Sequence, residues 1–197
     1  VVIVTPNDTH AEICRAFMNE GIHISCEKPL ATSLTEAEEL SRIAAEKGLL
    51  FMVTYVYTGH LTAKYIRELI REGEIGEIRT VMAEYPQGWL YNEKENGGKQ
   101  GAWRMDPKRA GRVNCLGDLG THVENIVSMM TGLKEKRLLA KMDVVVPGRV
   151  LDDNDQVLIE YENGATGMYW TSQFAIGCDN SLRIRLFGSR GTIQWFQ

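Results

Sequence analysis

The first 54 residues alternate continuous apolar runs with amphipathic ones. "VVIV" at 1–4 is an unbroken β-branched run, the pattern of a strand buried on both faces of a parallel sheet. Thr5-Pro6-Asn7 breaks it. Asp8 stands where it can cap a helix from Thr9 to Glu20, whose apolar face holds Ile13, Ala16 and Phe17 and which Gly21 ends. Ile22–Cys26 is a second short strand. Ser33 and Glu36 have capping-box spacing, and Leu34, Ala37, Leu40, Ile43 and Ala44 recur with helical period up to Gly48. "LLFMVTY" is a third buried strand. Strand, helix, strand, helix, strand with short connections predicts an open parallel α/β sheet.

Near Tyr55 the pattern changes. A helix is predicted from Leu61 to Arg71 and an alternating strand over 77–86. Residues 87–110 are polar and glycine-rich, with "ENGGKQG" at their centre, and read as a long functional loop. "GDLGTHVENIVSMMTG" is a helix ending at Gly132. Strand patterns follow at 138–146, 155–161, 165–173, 181–187 and 192–196, with Asn163-Gly164 and Ser189-Arg190-Gly191 as hairpin turns. They predict an antiparallel sheet with one drier face. An open sheet face that its own chain does not cover predicts burial against a second subunit, hence a homo-oligomer, dimer or tetramer.

A net charge of −4 argues against nucleic acid or an anionic membrane surface as the main partner. No apolar run approaches the length of a bilayer span. The four cysteines, Cys14, Cys26, Cys115 and Cys178, form no C-x-x-C pair, which points to a reducing, cytoplasmic setting without a disulfide framework. The chain begins inside a strand at Val1, and "GTIQWFQ" looks like a strand cut short, so the expectation is an internal piece of a longer protein.

In open α/β sheets ligands bind beyond the carboxyl ends of the strands. Thr5-Pro6-Asn7 and Glu27-Lys28-Pro29 both follow strands, so parallel strands would bring them to one edge. There Lys28 projects over a crevice; the plainer alternative is a surface lysine in a turn with Glu27 as its solvated partner. Pro29 fixes that turn and raises the chance of a cis bond. Asp118 and His122 lie four apart near a helix start and share a face. They are either a cap and a half-buried histidine, or an acid/base pair with His122 titrating near neutrality and Asp118 orienting it. As two metal ligands they lack a third at convincing spacing, and no metal is expected. Trp89, Trp103, Arg104 and Lys108 suit a sugar or polyol site, or a lid packed on its own aromatics. Tyr57 and His60 stand at the junction of the two patterns, where they can line a cleft.

"TPNDTH" at 5–10, "CEKPLA" at 26–31, "MVTYVYTGH" at 52–60 and "GDLGTHVEN" at 117–125 occur in the order found in the Gfo/Idh/MocA family of NAD(P)-dependent oxidoreductases, the glucose–fructose oxidoreductase and inositol dehydrogenase group, which the chain resembles over essentially its whole length. The resemblance implies an α/β protein: the C-terminal half of a Rossmann-like parallel-sheet domain over 1–54, then an α+β domain for substrate binding and oligomerisation over 55–197, with a large open antiparallel sheet and an incomplete C-terminus. It implies NAD or NADP as cofactor and a secondary alcohol of a sugar or polyol as substrate. Thr5, Pro6, Asn7, His10, Glu27, Lys28, Pro29, Trp103 and Arg104 would contact the coenzyme. Lys28, Tyr57, Trp89, Asp118 and His122 would contact the substrate, and Lys28, Asp118 and His122 would be catalytic. Oxidising a secondary alcohol removes a hydride and a proton, and the proton needs a base. A lysine beside a cationic ring and a histidine on the opposite wall both qualify. Rival readings on the same scaffold are an imine or enone reductase, a glycosidase using NAD transiently, and a non-catalytic sensor or scaffold.

The chain departs from that family in three places. Val56 stands where many relatives carry an amide, which puts the coenzyme contact expected there in doubt. "GRVNCLGD" replaces a glycine-rich run before the aspartate. The G-x-G-x-x-G turn and the residue that selects NAD or NADP are not among residues 1–197, so these residues alone are expected to bind coenzyme poorly.

Overall fold

The change of pattern near Tyr55 is the passage from one sheet to another. The computed structural model describes residues 1–91 and 98–197. The first sheet has three parallel strands in the order β1 (Val2–Ile3), β2 (Ile24–Cys26) and β3 (Phe51–Val53). α1 (His10–Asn19) joins β1 to β2, and α2 (Leu34–Glu46) joins β2 to β3. The capping box at α2 forms: Ser33 Oγ accepts from the Glu36 amide and donates to the Glu36 carboxylate. Asp8 does not cap α1. It lies in a 3₁₀ turn, Asn7–Thr9, and its carboxylate stands 3.8 Å from Arg109.

Ile3, Cys14, Met18, Ile24, Cys26 and Leu40 form a small core between the helices and this sheet. Val2, Val4, Leu50 and Met52 are each more than half exposed, so among the described residues only one face of the sheet is covered, not both. Periodicity reports that a strand can be buried on two sides. It does not say whether the covering elements lie in the same stretch of chain.

The second sheet has six strands: β4 (Ile78–Pro86), β5 (Glu135–Asp143), β6 (Asn154–Tyr161), β7 (Thr166–Ser172), β8 (Arg183–Gly188) and β9 (Thr192–Phe196). Their order is β5-β6-β7-β4-β8-β9. Four of the pairings are antiparallel, but β4 runs parallel to β7, so the sheet is mixed. Alternation over one-sided strands is the same for both directions, and the long connection from β4 to β5 permits either. Gly164 takes φ +84° in the tight turn from β6 to β7.

The inner face of this sheet, with Val81, Ala83, Val157, Ile159, Ile184 and Leu186, packs on α3 (Leu61–Arg71) and α6 (Thr121–Thr131). α6 buries Val123, Ile126, Val127 and Met130 at helical spacing and ends at Gly132, whose φ of +67° is the left-handed stop read from the sequence. A π-helical turn, Leu116–Gly120, leads into α6 and carries Asp118. The stretch 87–110 is not simply a loop. It contains α4 (Gly98–Arg104) and α5 (Pro107–Ala110), the latter capped by the Asp106 carboxylate with Pro107 in its first turn. Residues 95–97 of "ENGGKQG" lie outside the described residues.

Ile126 is fully buried between α6 and the sheet. Ile126→Ala should cost about 2–5 kcal/mol in urea unfolding. A cost below about 1 kcal/mol would mean that α6 is not packed as described.

Candidate active site

β1 and β2 end on the same edge, and the loops after them line a crevice of about 820 Å³. Thr5, Pro6, Asn7, Glu27 and Lys28 form one wall; Trp103, Arg104 and Arg109 from α4 and α5 form the other. His10 is not in that wall. It is fully buried, with Nε2 2.8 Å from the Thr5 carbonyl and Nδ1 3.0 Å from the Pro29 carbonyl, so it ties the two loops together from behind. Pro29, joined to Lys28 by a cis bond, also stands outside the crevice lining.

Glu27 is not the partner of the Lys28 ammonium. Its Oε1 accepts from the Thr54 hydroxyl at 2.7 Å and its Oε2 from the Lys28 backbone N–H at 3.3 Å. Lys28 instead crosses to the second unit, where Nζ donates to Asp118 Oδ1 at 2.7 Å and to the Asp118 carbonyl at 2.9 Å. Both side chains are nearly buried, 13% and 14% exposed, which disposes of the surface-lysine reading.

Asp118 is equally unlike a helix cap. Its Oδ2 accepts from Gln173 Nε2 at 3.2 Å and stands 3.4 Å from Arg104 Nε. Burial pushes its carboxyl up, but the Lys28 ammonium and the Arg104 guanidinium outweigh burial and hold it below the usual carboxylate range. With two cations and an amide on the carboxylate, the Asp118/His122 metal reading has no support in the geometry.

A second cavity, of about 530 Å³, opens on the other side of Lys28. Tyr57, Tyr85, Trp89, Asp118 and His122 line it, with Gln87, Asp179 and Asn180. Lys28, Gln100 and Arg104 line both cavities. The His122 ring stands 4.8 Å from that of Tyr57, edge-on, with Tyr55 and Tyr85 beyond. Burial, then the Lys28 ammonium, push its pKa down to about 4; the Asp118 carboxylate opposes them and loses. His122 therefore does not titrate near neutrality. It is neutral at pH 7 and offers an acceptor nitrogen.

The Tyr57 and Tyr85 hydroxyls are 2.5 Å apart, Tyr85 donates to Asn180 Oδ1 at 2.5 Å, and Gln87 Nε2 donates to the same oxygen at 2.7 Å. The Arg104 guanidinium carbon stands 4.3 Å from the Trp103 ring centre and 5.8 Å from that of Trp89. His60 packs against Tyr57 and Trp195, and Val56 is exposed; neither is in the lining of these two cavities, nor is Lys108. Sequence reasoning missed Tyr85, Gln87, Gln100, Gln173, Asp179 and Asn180. For Tyr85 a signal existed, since the alternation of β4 puts it on the inner face.

Behind the π-helical turn, Cys115, Asp152 and Asp155 bring ligand-type atoms within 4.8 Å of one another. Both Asp152 oxygens are taken by backbone N–H groups, those of Asn114 and Leu116 at 2.7 Å each. Burial and the neighbouring Asp152 push Asp155 up to about 7. Asp152 holds the backbone here, and Asp155 Oδ2 accepts from the Thr171 hydroxyl at 3.2 Å.

Comparison with known proteins gives this geometry its relatives. The family model for the Gfo/Idh/MocA C-terminal domain matches residues 63–194, and that for the oxidoreductase NAD-binding Rossmann fold matches residues 1–55. The chain belongs to the Gfo/Idh/MocA family. It is 41% identical to the uncharacterized oxidoreductase YfiI of Bacillus subtilis, over all of this chain and 51% of that one. It is 28% identical to levoglucosan dehydrogenase of Pseudarthrobacter phenanthrenivorans, over 98% of this chain and 54% of that one. An inositol dehydrogenase homolog from Azotobacter vinelandii, solved with NAD+, superimposes with a TM-score of 0.96 at 39% identity, over all of this chain and 51% of that one. The chain thus spans about half the length of the Gfo/Idh/MocA relatives it matches. No helix among its described residues is long and apolar enough to cross a membrane.

The depressed histidine has a testable sign. The folded pKa of about 4 lies below the ordinary 6.5, so between those values the unfolded chain binds the proton first. The contribution of His122 to stability is intact above pH 6.5 and is lost as pH falls toward 4, by roughly 3 kcal/mol in all. NMR titration should find the His122 ring midpoint near 4, and His122→Gln should gain stability relative to the parent over that window. A midpoint at or above 6 would refute the assignment.

Proposed function

We propose that this chain forms the substrate-side half, and part of the coenzyme crevice, of an NAD(P)-dependent oxidoreductase acting on a secondary alcohol of a sugar or polyol. The observation that carries the reading is Lys28, which lies between two cavities on an ionised aspartate, with a neutral histidine lining the second. Names of relatives agree with it: a dehydrogenase solved with NADH and levoglucosan, and an inositol dehydrogenase homolog solved with NADH and myo-inositol.

Residues 1–54 are assigned to the dinucleotide-binding part and 55–197 to the part for substrate and self-association. The first crevice suits a nicotinamide nucleotide: it lies at the carboxyl edge of parallel strands, and its walls carry Glu27, Lys28, Arg104 and Arg109. Bound there, the coenzyme would supply the hydride acceptor or donor. Thr5, Pro6 and Asn7 would face it, with Trp103 and Arg104 closing the opposite side; His10 and Pro29 would act by holding the loops. The reading requires a G-x-G-x-x-G turn outside residues 1–197, and the choice between NAD and NADP goes with it.

In the second cavity a substrate hydroxyl set between Lys28 Nζ and the His122 ring would meet a donor and an acceptor. Asp118 holds Lys28 in place and stays ionised, so it does not itself deliver a proton. The base is Lys28 or His122. Tyr57 and Trp89 would bound the sugar ring, with one polar wall for its remaining hydroxyls.

Lys28→Met in the full-length protein should lower turnover by about 10²-fold or more, while coenzyme Kd, measured by fluorescence titration, stays within about tenfold. Turnover that survives this change would overturn the reading. A substrate panel on the unmodified protein assigns the alcohol and separates dehydrogenation from imine reduction and glycoside cleavage.

The outer face of the six-stranded sheet supports self-association. Leu139, Leu158, Met168 and Met82 lie side by side across four strands by their pairing register, and Leu139, Leu158 and Met168 are 70%, 54% and 44% exposed. A homo-oligomer, dimer or tetramer, closing over this row is the arrangement proposed, in a cytoplasmic protein consistent with its free cysteines. Leu158→Lys should shift sedimentation to a smaller species; an unchanged mass would refute this face as the interface.

A further inference from the structure

Asp118 receives its partners from three directions, and one of them has no obvious place in a proton-transfer site. Gln173 lies just past the end of β7, fully buried, and its Nε2 donates to Asp118 Oδ2 at 3.2 Å. An amide can present either its NH₂ or its oxygen, and only the NH₂ suits a carboxylate. What selects the orientation is Asn114. Its Nδ2 donates to Gln173 Oε1 at 2.6 Å, which fixes the oxygen away from Asp118 and the NH₂ toward it.

Asn114 is fixed in turn. Its backbone N–H donates to Asp152 Oδ1 at 2.7 Å and its Nδ2 also approaches the Asp152 carbonyl at 3.3 Å. Asp152 Oδ2 accepts from the Leu116 N–H, and the Asn114 carbonyl accepts from the Asp118 N–H at 2.8 Å. The backbone of Gln173 is tied to the same segment, its N–H donating to the Asp153 carbonyl at 2.9 Å. Asn114, Asp152 and Gln173 are each at least 95% buried. In so dry a place opposed acceptors are costly: turning both amides would set Gln173 Oε1 against the Asp118 carboxylate and Asn114 Oδ1 against the Asp152 carbonyl, so this orientation is favoured although Asn114 Oδ1 itself has no partner.

We infer that Gln173, oriented by Asn114, is a positioning residue for the reaction: it holds Asp118 Oδ2 so that Oδ1 is presented to Lys28. The inference rests on the proposed role of Lys28 and Asp118. Its logic is directional. Without the Gln173 donor the carboxylate can turn toward Arg104, whose Nε is buried 3.4 Å from Oδ2 and makes no hydrogen bond there. Lys28 would then lose its fixed partner although every catalytic group remained.

The test uses the full-length protein and Gln173→Met, which keeps the length and bulk of the side chain but has no N–H. Turnover should fall about tenfold or more with substrate KM changed less than about threefold, and the acid limb of the kcat–pH profile should move to higher pH. Carbon-13 NMR should show the same upward move of the Asp118 carboxyl without coenzyme. Gln173→Glu, which places a second carboxylate against Asp118, should move both further. A side chain serving only the fold would lower the melting temperature and leave the acid limb and the carboxyl titration where they were, and that outcome overturns the inference. If Gln173→Met does not fold, Asn114→Asp takes its place with the same readouts, since a carboxylate cannot donate to Gln173 Oε1. Asp118→Asn separates the two claims. Loss of turnover there with unmoved profiles in the Gln173 and Asn114 variants refutes the positioning role alone; full turnover there refutes the catalytic reading beneath it.

Discussion

The pairing of Lys28 with Asp118 joins residues ninety positions apart and two sheets that otherwise have separate cores. A buried ion pair of this kind contributes little net stability, because removing two charges from water offsets most of their attraction. What it does is reject alternatives. Either charge left alone in that position would cost several kcal/mol, so the carboxyl edge of the first sheet and the π-helical turn of the second unit meet in one way. The two cavities are adjacent because of that meeting, and Lys28 is common to both because it is the group that makes it.

The remaining electrostatics follow from the pair. Asp118 stays ionised in a dry site because Lys28 and Arg104 stand beside it. The same ammonium adds to burial in driving the proton off His122. The site therefore holds, at neutral pH, a fixed anion, a cation bonded to it and an uncharged imidazole. That is a useful division for alcohol chemistry. In the proposed reaction the anion would position, and the ammonium and the imidazole would stand as a donor and an acceptor to one hydroxyl. Arg104 gives the anion a second cation and lines both cavities, in reach of the Trp89 and Trp103 rings.

Much of this was legible in the chain. The capping box at Ser33, the stops at Gly132 and Asn163-Gly164, and the β-branched strands are local signals, and local backbone physics honours them. The EKP loop and the D-x-x-x-H pair marked the residues that meet between the two cavities, because a charged turn after a buried strand and two polar residues on an apolar helix are each conspicuous. The failures share a cause. That β4 lies parallel to β7, that Asp8 meets Arg109 instead of capping α1, and that His10 clamps two carbonyls all depend on which segment arrives from far along the chain. Alternation cannot encode strand direction, and a histidine in "TPNDTH" looks the same whether it faces a ligand or a loop. The helices in 87–110 were a different miss. Asp106-Pro107 is a start signal in plain view, overshadowed by the glycines before it.

The polar groups that no motif announced form a wall of their own. The first crevice is lined by residues 5–7, 27–28 and α4, and Lys28, Asp118 and His122 meet at the second cavity. The far wall of the second cavity comes from elsewhere: Tyr85 and Gln87 at the end of β4, and Asp179 and Asn180 from the connection between β7 and β8. Asn180 is braced by Tyr57, Tyr85 and Gln87, whose hydrogen bonds fix which of its atoms face the cavity. Asp179 lies on that connection, where side chains change with least cost to the core. Discrimination among polyols would then be set on a wall that shares no residue with the ion pair, so that substrate preference can change while the Lys28–Asp118 contact, on which the joining of the two sheets depends, is left intact.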